Sequence, residues 1–490
     1  MPTKIAIIGS GFSALSAACY LAQGGHDVEV FEKNEQLGGR ASRLERDGFT
    51  FDMGPSWYWM PDIFERFFAD FGKSPSDYYR LNRLDPAYRV VFRDETVTIG
   101  AGLEAISREF ERLSPGSSAH LKRYMEQAAR HYDIAINRMV YQPGLSPLEL
   151  VSRETVTRLD QFFRSISGAV RSRFSDPRLI SILEFPVLFL GAKPSDTPAF
   201  YNFMNHADFG LGTWHPEGGM YRIVEAMAAL ARSLGVTFHT DARVERIDTK
   251  AGRACGLVVN GGAVAADIVL SGADYHHTER LLPAELRQYS ERYWASRVFA
   301  PSSLLFYVGY NTRIPNVGHH NLFFDTDFGK HAREIYDAPR WPEDPLFYAN
   351  FPSVTDPTMA PEGCETGFYL VPLAPDLEDT PELRESCYQR IMDRFETRTG
   401  CSVRNNVIFR ESFCVRDFKQ RYNSYGGNAY GMANTLRQTA FLRPGLKSRK
   451  VGNLYFTGQL TVPGPGVPPA LISGKLASGM IHKHLGRKSA

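Results

Sequence analysis

The sequence predicts an α/β fold: a discontinuous Rossmann-like nucleotide-binding domain, a mixed-sheet substrate domain and a helical lid. The chain opens on a short apolar run, a glycine turn and a helix-forming segment, the order of a βαβ unit. Buried-strand patterns return far downstream, at "DIVLSGAD" (Asp267 to Asp274) and at "YF" (Tyr455 to Phe456), so the first domain is assembled from distant pieces. Between Leu103 and Phe174 the pattern is mostly helical, and from Ser303 strand-like runs alternate with turns. The expected division is 1–80, 216–290 and 446–490 for the nucleotide domain, 81–102, 176–215 and 291–445 for the substrate domain, and 103–175 for the lid.

In the opening unit, "KIAII" from Lys4 to Ile8 reads as a buried strand. "GSGFSA" follows, with Gly9 for the tight turn, Gly11 for close approach of backbone to a pyrophosphate, and Ala14 for close helix–strand packing. The helix start offers unpaired N–H groups to the anion, and Phe12 and Ser13 lie in it. Gly24 and Gly25 stop that helix, and "DVEVFEK" forms a second strand ending on Glu32 and Lys33. At this spacing the Glu32 carboxylate can accept from an adenosine ribose, and its charge disfavours a 2′-phosphate.

"LGGRA", Leu37 to Ala41, then supplies a second glycine pair with an arginine where an NAD domain would continue into another crossover helix. Gly39 and Arg40 can approach and neutralise a diphosphate. "DGFTFDMGPSWYW" follows, carrying Gly54 and Pro55.

These stretches resemble the start of the flavoprotein amine oxidase and carotenoid desaturase superfamily. "NLYFTGQLTVPGPGVPPALISGK", "GTWHPEGGMYRIVEAM", "APEGC" and "DFKQRYNSYGGNAYGMANTLRQTAFLRP" are similar to bacterial and fungal phytoene desaturases, in the same order from Lys4 to about Ile481. The resemblance implies FAD as cofactor, held by the residues above together with Val244, Gly458, Gln459, Gly464, Gly466 and Val467. It places the last strand and helix back on the FAD domain, with Pro463, Pro465, Pro468 and Pro469 fixing the loop. Gln459 departs from an acidic residue common in relatives, and Glu126 occupies the position that the resemblance suggests for a catalytic base. The resemblance further implies conversion of phytoene towards lycopene by hydride transfer to flavin and proton loss, with oxygen or a quinone as electron acceptor. Three alternatives share the fold: a desaturase of a hydroxylated carotenoid, a flavin amine oxidase, and a non-enzymatic isoprenoid-binding escort protein.

Composition sets the remaining expectations. Hydrophobic residues make up 43% and charged residues 22%, with a formal net charge of +2, so no footprint for nucleic acid is present. The 33 Phe and 23 Tyr suit an apolar cavity lined by rings. No run approaches the ~18 apolar residues of a membrane span, and no signal peptide is expected before Lys4. Six cysteines without a CxxC pair predict free thiols in a reducing compartment. His276–His277 and His319–His320 lack the spacing of a metal site, so no metal is expected. "TRLDQFFRSISGAVRSRF" reads as a basic amphipathic helix, the pattern of a surface helix packed on a core as much as of one lying on a membrane, and the resemblance implies membrane contact. The expected location is the cytoplasm, peripherally on the membrane.

Overall fold

The computed structural model describes residues 2–146, 164–435 and 437–486. Its opening strand, Lys4–Ile8, lies at the centre of a five-stranded sheet. The strand order is Leu454–Phe456, Ile268–Ser271, Lys4–Ile8, Asp27–Phe31, Thr237–His239, and every pairing is parallel. Ile268–Ser271 is buried throughout, as its unbroken apolar run requires in a sheet covered on both faces.

The helix Phe12–Gln23 runs between this sheet and the closing helix, Val467–His484. The two helices touch through backbone: a Cβ on Gly474 would lie 2.4 Å from Ser13 O and 2.8 Å from Ala17 N. Ser16 Oγ donates to Leu471 O at 2.7 Å across the same seam. A glycine inside a helix, normally a cost of about 1 kcal/mol, is here the condition for contact.

A seven-stranded sheet forms a second layer, ordered Val407–Phe413, Ser302–Tyr310, Glu365–Leu373, Phe347–Asn350, His320–Phe323, Tyr88–Val91, Thr96–Ile99. It is mixed, because His320–Phe323 pairs parallel with Tyr88–Val91 while the other pairings are antiparallel. Ser302–Tyr310 is wholly buried. A three-stranded meander, Val244–Lys250 to Gly262–Ala265, begins at Val244.

Leu103–Leu113 and Ser117–Ile134 are helices, as their periodicity predicts. Of the basic amphipathic segment, 157–163 lies outside the described residues. The remainder, Ile166–Arg171, packs Ile166 and Val170 into the core, while Arg173 donates to Gln127 and covers the Tyr124 ring. All six cysteines are free. No helix among the described residues is long and apolar enough to cross a membrane.

Candidate functional site

One cavity of about 630 Å³ runs between the two sheets. At one end it is walled by the glycine turn, and at the other by rings and aliphatic side chains, including Phe200, Phe203, Leu305, Phe324 and Phe347.

The glycine-turn end is built from three segments. Gly9 has φ +83°, which favours glycine, and a Cβ on Gly11 would meet nothing within 4 Å, so that residue faces open space. Gly38 N donates to Ser10 O at 3.0 Å, drawing the second glycine pair onto the first. A Cβ on Gly54 would lie 2.2 Å from Arg40 O, so the chain after "FDM" passes directly over the arginine backbone. Phe12, Ser13, Glu32, Lys33, Gly39, Arg40, Gly54, Pro55 and Val244 all line this end.

Glu32 is buried, and its carboxylate accepts from Ser10 N (3.0 Å) and Oγ (2.7 Å) through one oxygen. The other oxygen accepts from Asn34 N (3.0 Å) and Nδ2 (2.9 Å). Arg40 donates to Ser424 Oγ at 2.9 Å and lies over the Tyr422 ring, 5.4 Å from its centroid. Its Nε is buried without a hydrogen-bond partner, and among the described residues it has no ion-paired carboxylate. Burial lowers its pKa against the opposing fields of Asp274 and Tyr422. A buried, unpaired guanidinium beside bare glycine backbone is a donor set for a diphosphate. The residues present therefore fit a dinucleotide cofactor.

The C-terminal loop closes the cavity. Gly458 (φ +109°) donates through N to Ser473 Oγ at 3.0 Å, and Thr457 Oγ1 and Thr461 Oγ1 meet the same hydroxyl at 3.0 Å. Gln459, with its amide oriented by its neighbours, accepts from Arg40 Nη2 (3.0 Å) and Nη1 (3.1 Å) and donates to Tyr430 O at 3.2 Å. Gly466 has φ +117° and precedes the closing helix, whose first residue, Val467, also faces the cavity. A Cβ on Gly466 would lie 3.2 Å from the Pro469 ring.

Arg443 holds this loop from behind. It is buried and donates to Thr461 O (2.9 Å), Gln459 O (2.7 Å), Met432 O (3.0 Å), Gln438 O (3.0 Å) and Asn434 Oδ1 (2.7 Å). Burial lowers its pKa to about 10, and carbonyl oxygens take the place of a carboxylate partner.

Three of the expected site residues do not line the cavity. Ala14 keeps the helix against the sheet, as its place in the motif predicts: it is fully buried, and a Cβ on Gly272 would lie 2.7 Å from its own Cβ, so it is not a cofactor contact. Gly464 is also outside the lining; its α-carbon faces Asn434, whose side chain a Cβ would meet at 2.9 Å. Glu126 is exposed on the helix Ser117–Ile134 and is not brought to the cavity, which removes the reason for assigning it the role of base. Ser473, Arg443, Gly272 and Gly474 went unread because their signal is tertiary: single ordinary residues whose partners lie far away in sequence.

A family model described as "Flavin containing amine oxidoreductase" matches residues 12–482. The chain is similar to a carotenoid 3,4-desaturase of Haloarcula japonica, 44% identical and covering 96% of both chains. It is also similar to a zeta-carotene-forming phytoene desaturase of Myxococcus xanthus, 35% identical over 97% of this chain and 93% of the relative. Among solved structures, putrescine oxidase shares the fold, with TM-score 0.62 and 16% identity over 99% of each chain.

Proposed function

We propose, from the premise that this chain belongs to the flavin-containing amine oxidoreductase family, within its carotenoid desaturases, that it acts on phytoene and carries it towards lycopene. FAD is its cofactor. The observation that supports the reading is that one cavity is lined both by the glycine turn and by a large set of apolar side chains. A forty-carbon polyene has nothing to ionise and nothing to hydrogen-bond, so area alone must hold it, at about 25 cal/mol per Å² buried.

Within this reading the FAD domain is assembled from 1–80, 216–290 and 446–490. Arg40 and the amides from Gly9 to Ser13 hold the diphosphate, Glu32 the adenosine ribose, and Gln459 with Gly466 the middle of the cofactor. FAD bound there would supply the acceptor for a hydride leaving an allylic carbon. The protein's part is to set the polyene against that position and exclude water. Trp57, Phe185, Phe200, Phe203, Leu305 and Leu370 are among the apolar side chains that line the chamber.

The substrate enters, in this proposal, from a bilayer surface. Leu442 is 43% exposed next to the cavity-lining Phe441, the kind of apolar rim a membrane would cover.

A second reading, desaturation of a hydroxylated carotenoid, is favoured by one feature. The side chains of Tyr336 and Tyr430 line the same cavity and lie within each other's field, two phenols that could meet a hydroxyl group. Expression in a phytoene-accumulating bacterium, followed by pigment analysis, tests both. Coloured acyclic carotenes are expected under the first reading. Unchanged phytoene, with conversion only when a hydroxylated carotene is supplied, selects the second.

A further inference from the structure

Desaturation releases a proton as well as a hydride, and the chamber offers few places for it. The two carboxylates that line the cavity are both engaged at the phosphate end: Glu32 by Ser10 and Asn34, and Asp274 by capping His277 N at 3.2 Å. His277 sits there too, in the fields of Lys33 and Arg243. His331 lines the apolar end, but its Nε2 donates to Pro372 O (3.0 Å) and its Nδ1 accepts from Leu346 N (3.0 Å), leaving neither nitrogen available.

Tyr348 differs. Its phenol lines the cavity, with its oxygen 3.0 Å from Ser56 Oγ and 2.6 Å from Nδ1 of His320, on the neighbouring strand. Asn350 Nδ2 approaches the same Nδ1 at 3.3 Å. An amide nitrogen can only donate, so Nδ1 is the acceptor and the Tyr348 hydroxyl donates to it. His320 is fully buried, and its Nε2 has no hydrogen-bond partner. Trp57 lies flat on the imidazole, with centroids 4.0 Å apart and planes at 10°, the geometry that holds a cation over an indole face.

We propose that Tyr348 and His320 are the proton-accepting pair of the reaction, an inference that rests on the desaturase reading. With the hydride and its electron pair already removed, the adjacent C–H bond breaks and its electrons become the new C=C π bond. The proton forms a new O–H bond on Tyr348 while the original O–H breaks, its proton passing to His320 Nδ1. The imidazolium is held by the Trp57 face, with two further histidine rings and Asp356 beyond it. His319 lies 4.4 Å from His320, His215 lies 4.6 Å from His319, and His215 Nε2 is 2.9 Å from Asp356 Oδ2. Burial opposes the Asp356 charge, but its bonds from His215, Thr358 and Gly218 hold the carboxyl well below the ordinary range, so it is anionic. Asp52 is the acid whose field reaches Tyr348. Burial keeps His320 neutral at rest, with His215 adding to that effect, as an acceptor must be.

The test uses FAD-loaded protein and carotene-bearing liposomes, with Tyr348→Phe and His320→Gln each compared to wild type. Both variants are expected to keep FAD content and carotene retention while losing about 100-fold or more of the desaturation rate. The wild-type rate is expected to fall only well to the acid side of the ordinary imidazole range, as His320 takes up a proton, and the residual His320→Gln rate to be flat there. The two substitutions remove different atoms, so misfolding of one leaves the other to decide. Retention of FAD and carotene with rates within about threefold of wild type would overturn the pair's role. A wild-type protein that converts no carotene contradicts the desaturase reading and the pair together, and is recognised because the unsubstituted chain fails.

Discussion

Arg40 and Gln459 come from opposite ends of the chain, yet both terminal nitrogens of the guanidinium donate to one amide oxygen, at 3.0 and 3.1 Å. An amide leaves the cation uncompensated, whereas a carboxylate would neutralise it. That residual charge suits a diphosphate, the role proposed for Arg40. Arg40→Ala is expected to weaken FAD binding about 10- to 100-fold, the equivalent of losing a charged hydrogen-bond pair. Arg40→Lys keeps a point charge without the fork and should fall between, as equilibrium dialysis of the apoprotein against FAD would report.

Gly466→Val places a β-branched side chain at φ +117°, where an L-residue is strained, and drives its Cβ against Pro469. The variant is expected to purify colourless and inactive. Gly452 has no positive φ, and its nearest neighbour to a new Cβ is at 3.9 Å, so Gly452→Val should stay yellow. A Gly466→Val protein with full FAD content would show that the loop does not close on the cofactor.

Gly474→Val tests the seam between the first and last helices. Its Cβ would lie 2.4 Å from Ser13 O, so the helices must part, at a cost of about 1–3 kcal/mol or more. A lowered unfolding temperature in both the apo and FAD-loaded forms is the expected result. Unchanged stability would mean that the two helices separate freely.

Much of this architecture is legible in the sequence because it is local. The Gly9–Gly11 turn, the strand Lys4–Ile8 and the buried run Ile268–Ser271 follow from residue type and spacing. The return of the closing helix was legible through family resemblance. What stayed hidden depends on long-range geometry: Arg443 saturated by carbonyls, Ser473 joining three groups, and the Tyr348–His320 contact across neighbouring strands. Glu126 misled because its helical position specifies a face but not which side meets the cavity.

Asp208 supplies a pH prediction. Burial raises its pKa to about 8, against the opposing bonds of Tyr88 and Thr213, and one carboxyl oxygen has no partner. The folded value exceeds the unfolded one, so between about pH 4 and 8 the folded state binds the extra proton. Stability is therefore full at the acid end of that window and declines as pH rises through it. Asp208→Asn, which keeps the shape without the charge, should show a flatter profile and a higher unfolding temperature than wild type at pH 9. Parallel wild-type and variant curves from pH 5 to 9 would contradict the assignment.

Leu442→Asp should reduce co-sedimentation with liposomes while leaving FAD content unchanged, if the exposed leucine beside Phe441 faces a bilayer. Equal sedimentation of both proteins would place the membrane-facing surface elsewhere.

The most direct measurement follows the absorbance spectrum of liposomes carrying phytoene after addition of purified, FAD-loaded protein with oxygen or a quinone present. Loss of the phytoene bands and growth of longer-wavelength polyene bands, ending on lycopene, is the predicted result. Phytoene left intact, while a polyamine offered to the same preparation yields peroxide, would contradict it.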